Sequence, residues 1–368
     1  MAEKKLCLVV PSLQAGGMER VMAELATYFA SKMELDLHLV LYDLTREIFY
    51  PLPQTVKIHK PQFSFKNHLR LLNTIRTVLF LRRSVKQIRP DSILSFGEYW
   101  NTLVLISFIG LSFPIYISDR CSPGKRYNIY HRFLRAVLYP KTSGIIAQTQ
   151  KAREIYSQQF RHINIKVIGN PIREITSVGR SRRENIVLMV GRLISTKHQD
   201  KLIEVFLEIN NPDWKLILVG YDHLKQNISE HLRNIIRSNH SEERILLAGR
   251  QSDVDSFYRR SKIFAFTSSS EGFPNAIGEA MSAGIPVVAF DCVAGPSEMI
   301  RDGSNGYLIP LFDYCQFRTK LELLMNDENL RTEMGIKAAE DIRKFSIDKI
   351  GESYLKFILG KGHLEQKN

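Results

Sequence analysis

Two doubly wound α/β domains, each on a parallel sheet, are the fold class this sequence predicts, on three observations. Short apolar runs alternate with longer amphipathic stretches, as in βαβ units. The alternation runs twice, on either side of a polar, basic segment. At 368 residues the chain has length for two cores. The expected division is a first domain over residues 1–170, a linker over 171–184, a second domain over 185–343, and a final helix and polar tail over 344–368, the helix packing back toward the first domain.

In order, Leu6–Val10 reads as a buried strand, followed by a loop with Gly16-Gly17 and a helix to about Ser31. Leu37–Leu41 reads as a second strand. Pro51, Pro53 and Pro61 mark an irregular connection around a short strand at Val56–Ile58. Residues 65–89 carry a helical stripe of Leu72, Ile75, Val78, Leu79, Val85 and Ile88, with Arg70, Arg76, Arg83 and Lys86 elsewhere around it and Pro90 ending it. Strands follow at Ser92–Ser95 and Ile115–Ile117. Residues 124–141 form a basic, aromatic helix that could lie in a membrane interface. Its commoner use is to pack on the core with a solvated basic face. Gly144–Ala147, a helix from Lys151 and Ile165–Ile168 complete the first half. In the second half, strands at Asn185–Val190, Lys215–Val219 and Arg244–Ala248 alternate with helices over 197–209, 224–238 and 254–260. Three helices, over 313–326, 328–343 and 346–359, end the chain.

The strongest unit is the stretch from Lys262 to Phe290. A strand at Lys262–Thr267 runs into a loop of small residues, then a helix near Pro274, which Gly284 and Pro286 stop before the strand Val287–Phe290. Such a loop, at the carboxyl end of a strand and the N-terminus of a helix, suits an anion. Glu271 lies in it, and Glu279 follows on a helix otherwise made of small and apolar residues. In Val190-Gly191-Arg192-Leu-Ile-Ser-Thr-Lys197, two cations flank a strand end, where an Arg fork and a Lys point charge could clamp a diphosphate.

Composition narrows the classes. Cys7, Cys121, Cys292 and Cys315 are far apart and form no metal-ligand spacing, so no structural metal and no disulfide framework are expected, and a reducing compartment fits. The longest apolar stretch, residues 103–117, is broken by Gly110 and Pro114 and falls short of the ~20 residues that span a bilayer. Residues 1–170 hold 24 Lys/Arg against 11 Asp/Glu, whereas residues 171–368 hold 27 of each. A basic first half rich in aromatics and leucine suggests an anionic membrane face or an anionic acceptor. No RNP, KH or zinc motif supports nucleic acid as a partner. Asp253-Val-Asp255 resembles a metal-binding DxD, but its place after Ser252 at a helix start favours capping. His131 and His198 have no partner at metal-ligand spacing and read as surface residues.

Gly16-Gly17-Met-Glu-Arg20, Gly191-Arg192 with Lys197, Glu271-Gly-Phe-Pro-Asn with Glu279, and Gly295-Pro-Ser-Glu298 resemble the retaining glycosyltransferases of family 4, with the GT-B fold. The order and spacing match over nearly the whole chain. The sequence is similar to bacterial enzymes of polysaccharide and lipid-linked oligosaccharide synthesis that use UDP-sugars, such as UDP-N-acetylhexosamine. The resemblance implies two Rossmann-like domains facing a central cleft, with the acceptor on the first and the nucleotide on the second. Arg192 and Lys197 would hold the diphosphate, and Glu279 the ribose hydroxyls. Glu271, with Gly191, Gly272 and backbone N–H groups of Phe273, Asn275 and Ala276, would orient sugar and phosphates. Gly16 and Gly17 would lie against the diphosphate when the cleft closes. Arg192, Lys197 and Glu271 are the catalytic candidates.

Some relatives carry a histidine near the donor sugar, and here Arg120 stands in the comparable segment Ser118–Ser122. Glu98, Asp119 and Arg120 are therefore the candidates for acceptor binding or acid/base work. The acceptor hydroxyl would attack on the face the leaving group departs from, a phosphate oxygen taking its proton, so no side-chain base is obligatory. No metal or other cofactor is expected. The implied activity is transfer of a hexose or N-acetylhexosamine to an undecaprenyl-diphosphate-linked saccharide of an O-antigen or capsule, by a peripheral protein on the inner face of the cytoplasmic membrane. The alternatives are a GT-B enzyme with a small soluble acceptor or a nucleotide-sugar epimerase, and a non-catalytic nucleotide-sugar or nucleic-acid binder.

Overall fold

Strand and helix alternate through the chain in the computed structural model, which describes residues 3–44, 46–65, 67–160, 164–176, 183–222 and 226–360. In the first half these are β1 (Lys4–Val10), α1 (Gly17–Ala30), β2 (Leu35–Leu41), β3 (Lys57–His59), α2 (Arg70–Ile88), β4 (Ser92–Phe96), α3 (Glu98–Ser107), β5 (Ile115–Ser118), α4 (Ile129–Leu138), β6 (Gly144–Ala147), α5 (Gln150–Gln159) and β7 (Ile165–Val167). In the second they are β8 (Ile186–Val190), α6 (Gln199–Ile209), β9 (Lys215–Val219), α7 (Ile228–Ser238), β10 (Ile245–Gly249), α8 (Val254–Arg260), β11 (Ile263–Phe266), α9 (Asn275–Ser282), β12 (Val287–Phe290), α10 (Pro296–Met299), β13 (Gly306–Ile309), α11 (Tyr314–Asn326), α12 (Glu328–Ile342) and finally α13 (Ile347–Leu359). The chain divides into two compact units, Met1–Pro171 with Ile347–Asn368, and Ile172–Ser346.

The first unit is a seven-stranded parallel sheet in the order β3-β2-β1-β4-β5-β6-β7. The connections from β3 to β4, β4 to β5 and β5 to β6 all step the same way along it. Right-handed crossovers therefore put α2, α3 and α4 on one face and α1 on the other. Cys7, Val9, Val40, Ile93, Ile117 and Ile145 pack under Leu81 and Val85 of α2, Val104 of α3 and Leu138 of α4. On the opposite face α13 returns beside α1, where Gly351 lies directly against the Tyr28 ring.

Two helices of this layer do not simply bury their apolar stripe. Leu72, Ile75 and Leu79 of α2 point to solvent, and the buried line is Asn73, Thr77, Leu81, Ser84, Val85 and Ile88. Val85 and Ile88 belong to both lines, so helical period alone does not choose between them; the buried Thr77 hydroxyl is satisfied by donating to the Asn73 carbonyl at 2.8 Å. In α4 the buried residues are His131, Arg135 and Leu138, while Ile129, Tyr130, Phe133 and Val137 are exposed. The basic face is thus only partly the solvated one, and His131 is not a surface residue. Arg135 turns inward because its partner, Asp119, is buried beneath it.

The second unit is a six-stranded parallel sheet, β10-β9-β8-β11-β12-β13. Alternate residues feed two cores, as a strand's period of two requires. Val187, Met189 and Val288 face α6 and α11, and Leu188, Val287 and Ala289 face α9 and α12. Ile172 and Ile175, within the segment expected to be a linker, lie in the second of these cores. Ile172 donates to the Phe345 carbonyl at 2.8 Å, so the second unit begins earlier than residue 185. Residues 177–182 of that segment lie outside the described residues. Gly284, at φ +70°, ends α9, and Gly335 of α12 packs on its carbonyl.

Candidate functional site

In the second unit the candidate residues gather at the carboxyl ends of β8 and β11, neighbours in the sheet. There the strand order reverses, which is where open parallel sheets bind ligands. From β8 the chain passes Gly191 and Arg192 into a 3₁₀ turn, Ser195–Lys197, that delivers Lys197. The loop after β11 delivers Glu271, and the Lys197 ammonium pairs with its Oε1. Both side chains are 13% exposed. Lys197 Nζ also sits 4.8 Å from the Phe266 ring centroid. The Lys197 side chain runs alongside Gly191, where an added Cβ would be in ordinary van der Waals contact with it at 3.6 Å. Arg192 is exposed, and among the described residues no carboxylate pairs with it.

Hydroxyl groups hold the Lys197 turn in place. Thr267 Oγ1, at the end of β11, donates to the carbonyl of Lys197 at 2.7 Å. Ser269 gives both its N–H and its hydroxyl to the Thr196 carbonyl, at 2.8 and 3.2 Å. His198 follows with φ +51°, its Nε2 2.9 Å from Ser269 Oγ and its ring edge-on to Phe312. His198 is a tie between the two loops rather than a surface residue. The sequence reading missed Thr267, Ser269 and His198 as positioning groups, although a Thr-Ser-Ser run at a strand end is a signal for such ties.

Glu279 lies on the buried side of α9, 5% exposed. Tyr258 of α8 donates to its Oε2 at 2.9 Å, and Arg173 Nε lies 3.4 Å from Oε1. Arg173 also pairs with Asp255 at 2.5 Å. These partners fix the Glu279 rotamer on the buried side of the helix. Tyr258 and Arg173 were not singled out by sequence, since each reads as an ordinary helix or loop residue. Asp253 accepts from the N–H of Ser256 at 3.1 Å, the capping role expected of it.

The backbone donors are only partly as expected. The Asn275 N–H is taken by the Phe273 carbonyl at 3.0 Å. It is therefore not open to a ligand in this conformation. The Phe273 ring is core, 74° to the ring of Phe345. Gly272 and Ala276 are half-buried in the same loop and first helical turn. Gly295, at φ +110°, packs against Pro274, so the Gly295–Glu298 motif buttresses the start of α9.

In the first unit Gly16 and Gly17 stand at the start of α1. The Tyr50 hydroxyl bridges both backbone groups of Gly16, accepting from its N–H at 3.1 Å and donating to its carbonyl at 3.0 Å. Glu98, Asp119 and Arg120 cluster at the carboxyl ends of β4 and β5. Asp119 is buried and accepts from three side chains. Arg135 holds one oxygen, and Tyr139 at 2.7 Å and Asn101 at 3.0 Å donate to the other. Burial works against the charge of Arg135, but Asp119 outweighs it and holds the guanidinium above its ordinary range. Burial raises the Asp119 carboxyl against the pull of Arg135, Tyr139 and Asn101, and its place in the unit is that of an internal counter-ion. Glu98 accepts from Lys125 at 2.9 Å. Burial opposes its ionisation, yet the Cys121 thiol and Lys125 prevail and hold its carboxyl below the usual value. Arg120 lies over the Phe96 ring and donates to Asn170 Oδ1 at 2.6 Å and Tyr354 at 3.4 Å, which ties β5 to α13. All three candidates are engaged in holding the unit together. Among the described residues no group of three His, Cys, Asp or Glu could hold a metal ion, and no helix is long and apolar enough to cross a membrane.

Two family models match the chain, "Glycosyl transferases group 1" over residues 172–341 and "Glycosyltransferase Family 4" over residues 15–174. A Campylobacter jejuni protein, the GalNAc-α-(1→4)-GalNAc-α-(1→3)-diNAcBac-PP-undecaprenol α-1,4-N-acetyl-D-galactosaminyltransferase, is 25% identical over 362 residues, 96% of this chain and 98% of its own. An amylovoran biosynthesis glycosyltransferase of Erwinia amylovora is 28% identical over 339 residues, 89% and 92% of the two chains. Among solved structures, the Anabaena protein HepE in complex with UDP superposes with a TM-score of 0.80 at 19% identity, covering 96% of this chain and 98% of its own.

Proposed function

The chain belongs to glycosyltransferase family 4 and has the GT-B fold, and from that premise we propose that it moves a hexose or N-acetylhexosamine from a UDP-sugar to an undecaprenyl-diphosphate-linked saccharide. The product would be a bacterial surface polysaccharide of the O-antigen or capsule kind. The observation that carries the reading is the pairing of Lys197 with Glu271 beside the exposed Arg192 at the strand ends, with Glu279 held on the helix that follows the Glu271 loop. Cations placed there suit a diphosphate leaving group, and Glu279 suits the hydroxyls of a ribose. The relatives named for undecaprenol-linked acceptors support the lipid-linked substrate.

In this reaction the acceptor hydroxyl bonds to the anomeric carbon on the face from which UDP departs, so configuration is retained. The bond from that carbon to the diphosphate oxygen breaks, its electron pair leaves with UDP, and a phosphate oxygen takes the hydroxyl proton. Negative charge grows on the diphosphate as the bond breaks. Fixed cations at Arg192 and Lys197 therefore stabilise the transition state more than the ground state. Glu271 keeps Lys197 aimed before the donor arrives and gives up part of that interaction to the phosphates. No metal is needed if the two cations supply the charge. A lipid-linked acceptor places the work at a membrane, on its cytoplasmic face where nucleotide sugars are held.

Calorimetry and single-turnover kinetics on two variants test the assignment. Glu279→Ala should weaken UDP binding by about 2 kcal/mol, the scale of losing hydrogen bonds to a charged group. Lys197→Ala should leave UDP binding closer to the parent and lower turnover at least ~100-fold, as loss of a preorganised charge does. Unchanged UDP affinity in Glu279→Ala would remove its ribose role.

A further inference from the structure

We propose that the outward face of the α2–α3–α4 layer docks on an anionic bilayer, with the groove between β3 and α2 receiving phosphate headgroups. This deepens the lipid-linked reading by naming the surface, but it rests on features of the first unit alone.

Three observations carry it. First, α4 is inverted for a soluble helix: it buries His131 and Arg135 while Ile129, Tyr130 and Phe133 are between 66% and 79% exposed. Exposed Ile, Tyr and Phe side chains beside the exposed Arg132, with Arg135 buried, suit a surface that is apolar within and anionic at its edge. Second, α2 carries a second outward apolar line, Leu71, Leu72, Ile75 and Leu79, with Leu71 78% and Leu79 60% exposed. Spacings of three and four residues put these side chains on one face, and Arg76 and Arg83 lie on its flank. Third, Leu79 is also part of the lining of a groove of about 1190 Å³, which Lys60 and Gln62 border from the β3 side and Arg76, Arg83 and Lys86 from α2. Among the described residues, no carboxylate pairs with any of these four cations.

The two helices share one layer, since α3 packs between them and the crossovers put all three on the same face of the sheet. No Asp or Glu occurs between Glu47 and Asp91, nor between Asp119 and Glu154, so both outward segments are free of acids. Cations beside exposed leucine, tyrosine and phenylalanine match the two zones of a membrane surface, phosphate above and acyl chain below. A soluble polyanion would use the cations but leave the apolar lines in water. The bilayer is therefore the occupant that accounts for both.

Flotation of the full chain with phosphatidylcholine vesicles, with and without phosphatidylglycerol, tests this in the absence of donor and acceptor, so its outcome is independent of whether transfer occurs. The parent should float with the anionic vesicles and less at high salt. The triple variant Arg76→Glu, Arg83→Glu, Lys86→Glu should bind them about tenfold more weakly or worse, given the several-fold contribution of each basic residue near such a surface. Tyr130→Ser with Phe133→Ser should also weaken binding, at low and high salt alike. Both variants should keep the parent's thermal unfolding midpoint, because the altered side chains are exposed. The proposal is overturned if the parent does not float, if neutral vesicles serve as well as anionic ones, or if both folded variants float like the parent. Salt-sensitive binding to RNA with no vesicle binding would overturn it too.

Discussion

At the scale of the residue, the side chains that matter most are held by others before any ligand arrives. Glu279 is gripped by Tyr258 and Arg173, Lys197 by Glu271, and Asp119 by Arg135, Tyr139 and Asn101. Glu279 was legible in sequence because a lone acid on a helix of small and apolar residues is hard to explain as packing. Its two partners were not, since nothing in their local pattern separates Tyr258 from a core aromatic or Arg173 from a surface cation. Asp119 and Glu98 were harder to read, because an acid at a strand end looks the same in sequence whether it faces substrate or an internal cation. Glu98 gives a pH test. Its carboxyl is held below its ordinary 4.5, so on acidification the unfolded chain takes up a proton that the native one resists. The stability from this group is therefore whole above pH 4.5 and is lost as pH falls below it toward the native value. Thermal unfolding of the parent should fall more steeply over that window than that of Glu98→Gln; equal slopes would show that Lys125 and Cys121 do not hold the carboxylate.

Among the elements, α9 carries the densest set of constraints. Its start is braced by Gly295 on Pro274, its middle is crossed by Ile172 at Gly278, and its end meets α12 at Gly284 and Gly335. The strand-helix-strand unit was readable because Gly284 and Pro286 punctuate it and β11 and β12 are short apolar runs. The bracing was not, because contacts such as Ile172 with Gly278 join residues far apart in sequence. Gly335→Ala makes a sharp test, since alanine in a helix interior ordinarily stabilises by about 1 kcal/mol over glycine. Here the added methyl meets the Gly284 carbonyl, a backbone atom, and the cost should be about 1–3 kcal/mol by overpacking. A denaturant midpoint higher than the parent's would mean that α12 moves freely away from α9. The rotations of α2 and α4 belong at this scale as well. Apolar periodicity finds a face but does not say whether that face meets a core or another phase, and in α4 the buried Asp119 draws Arg135 inward.

For the whole molecule, the two parallel sheets and the family were legible because βαβ alternation and glycine-marked strand ends survive without any knowledge of contacts. The start of the second unit was placed too late, as Ile172 and Ile175 look like part of a polar segment until their core is seen. The one-sided charge was plain in composition, but its pairing with exposed apolar lines on α2 and α4 needed coordinates. What binds these levels into one account is the claim that paired cations on the second unit, with no metal, drive departure of UDP while configuration is kept. The most direct test is transfer from a UDP-N-acetylhexosamine panel to an undecaprenyl-diphosphate-linked saccharide in excess EDTA, with the anomeric configuration of the product read by NMR. The account predicts transfer undiminished by EDTA and an α-linked product from the α-configured donor. A β-linked product, or transfer that returns only when a divalent metal is restored, would contradict it.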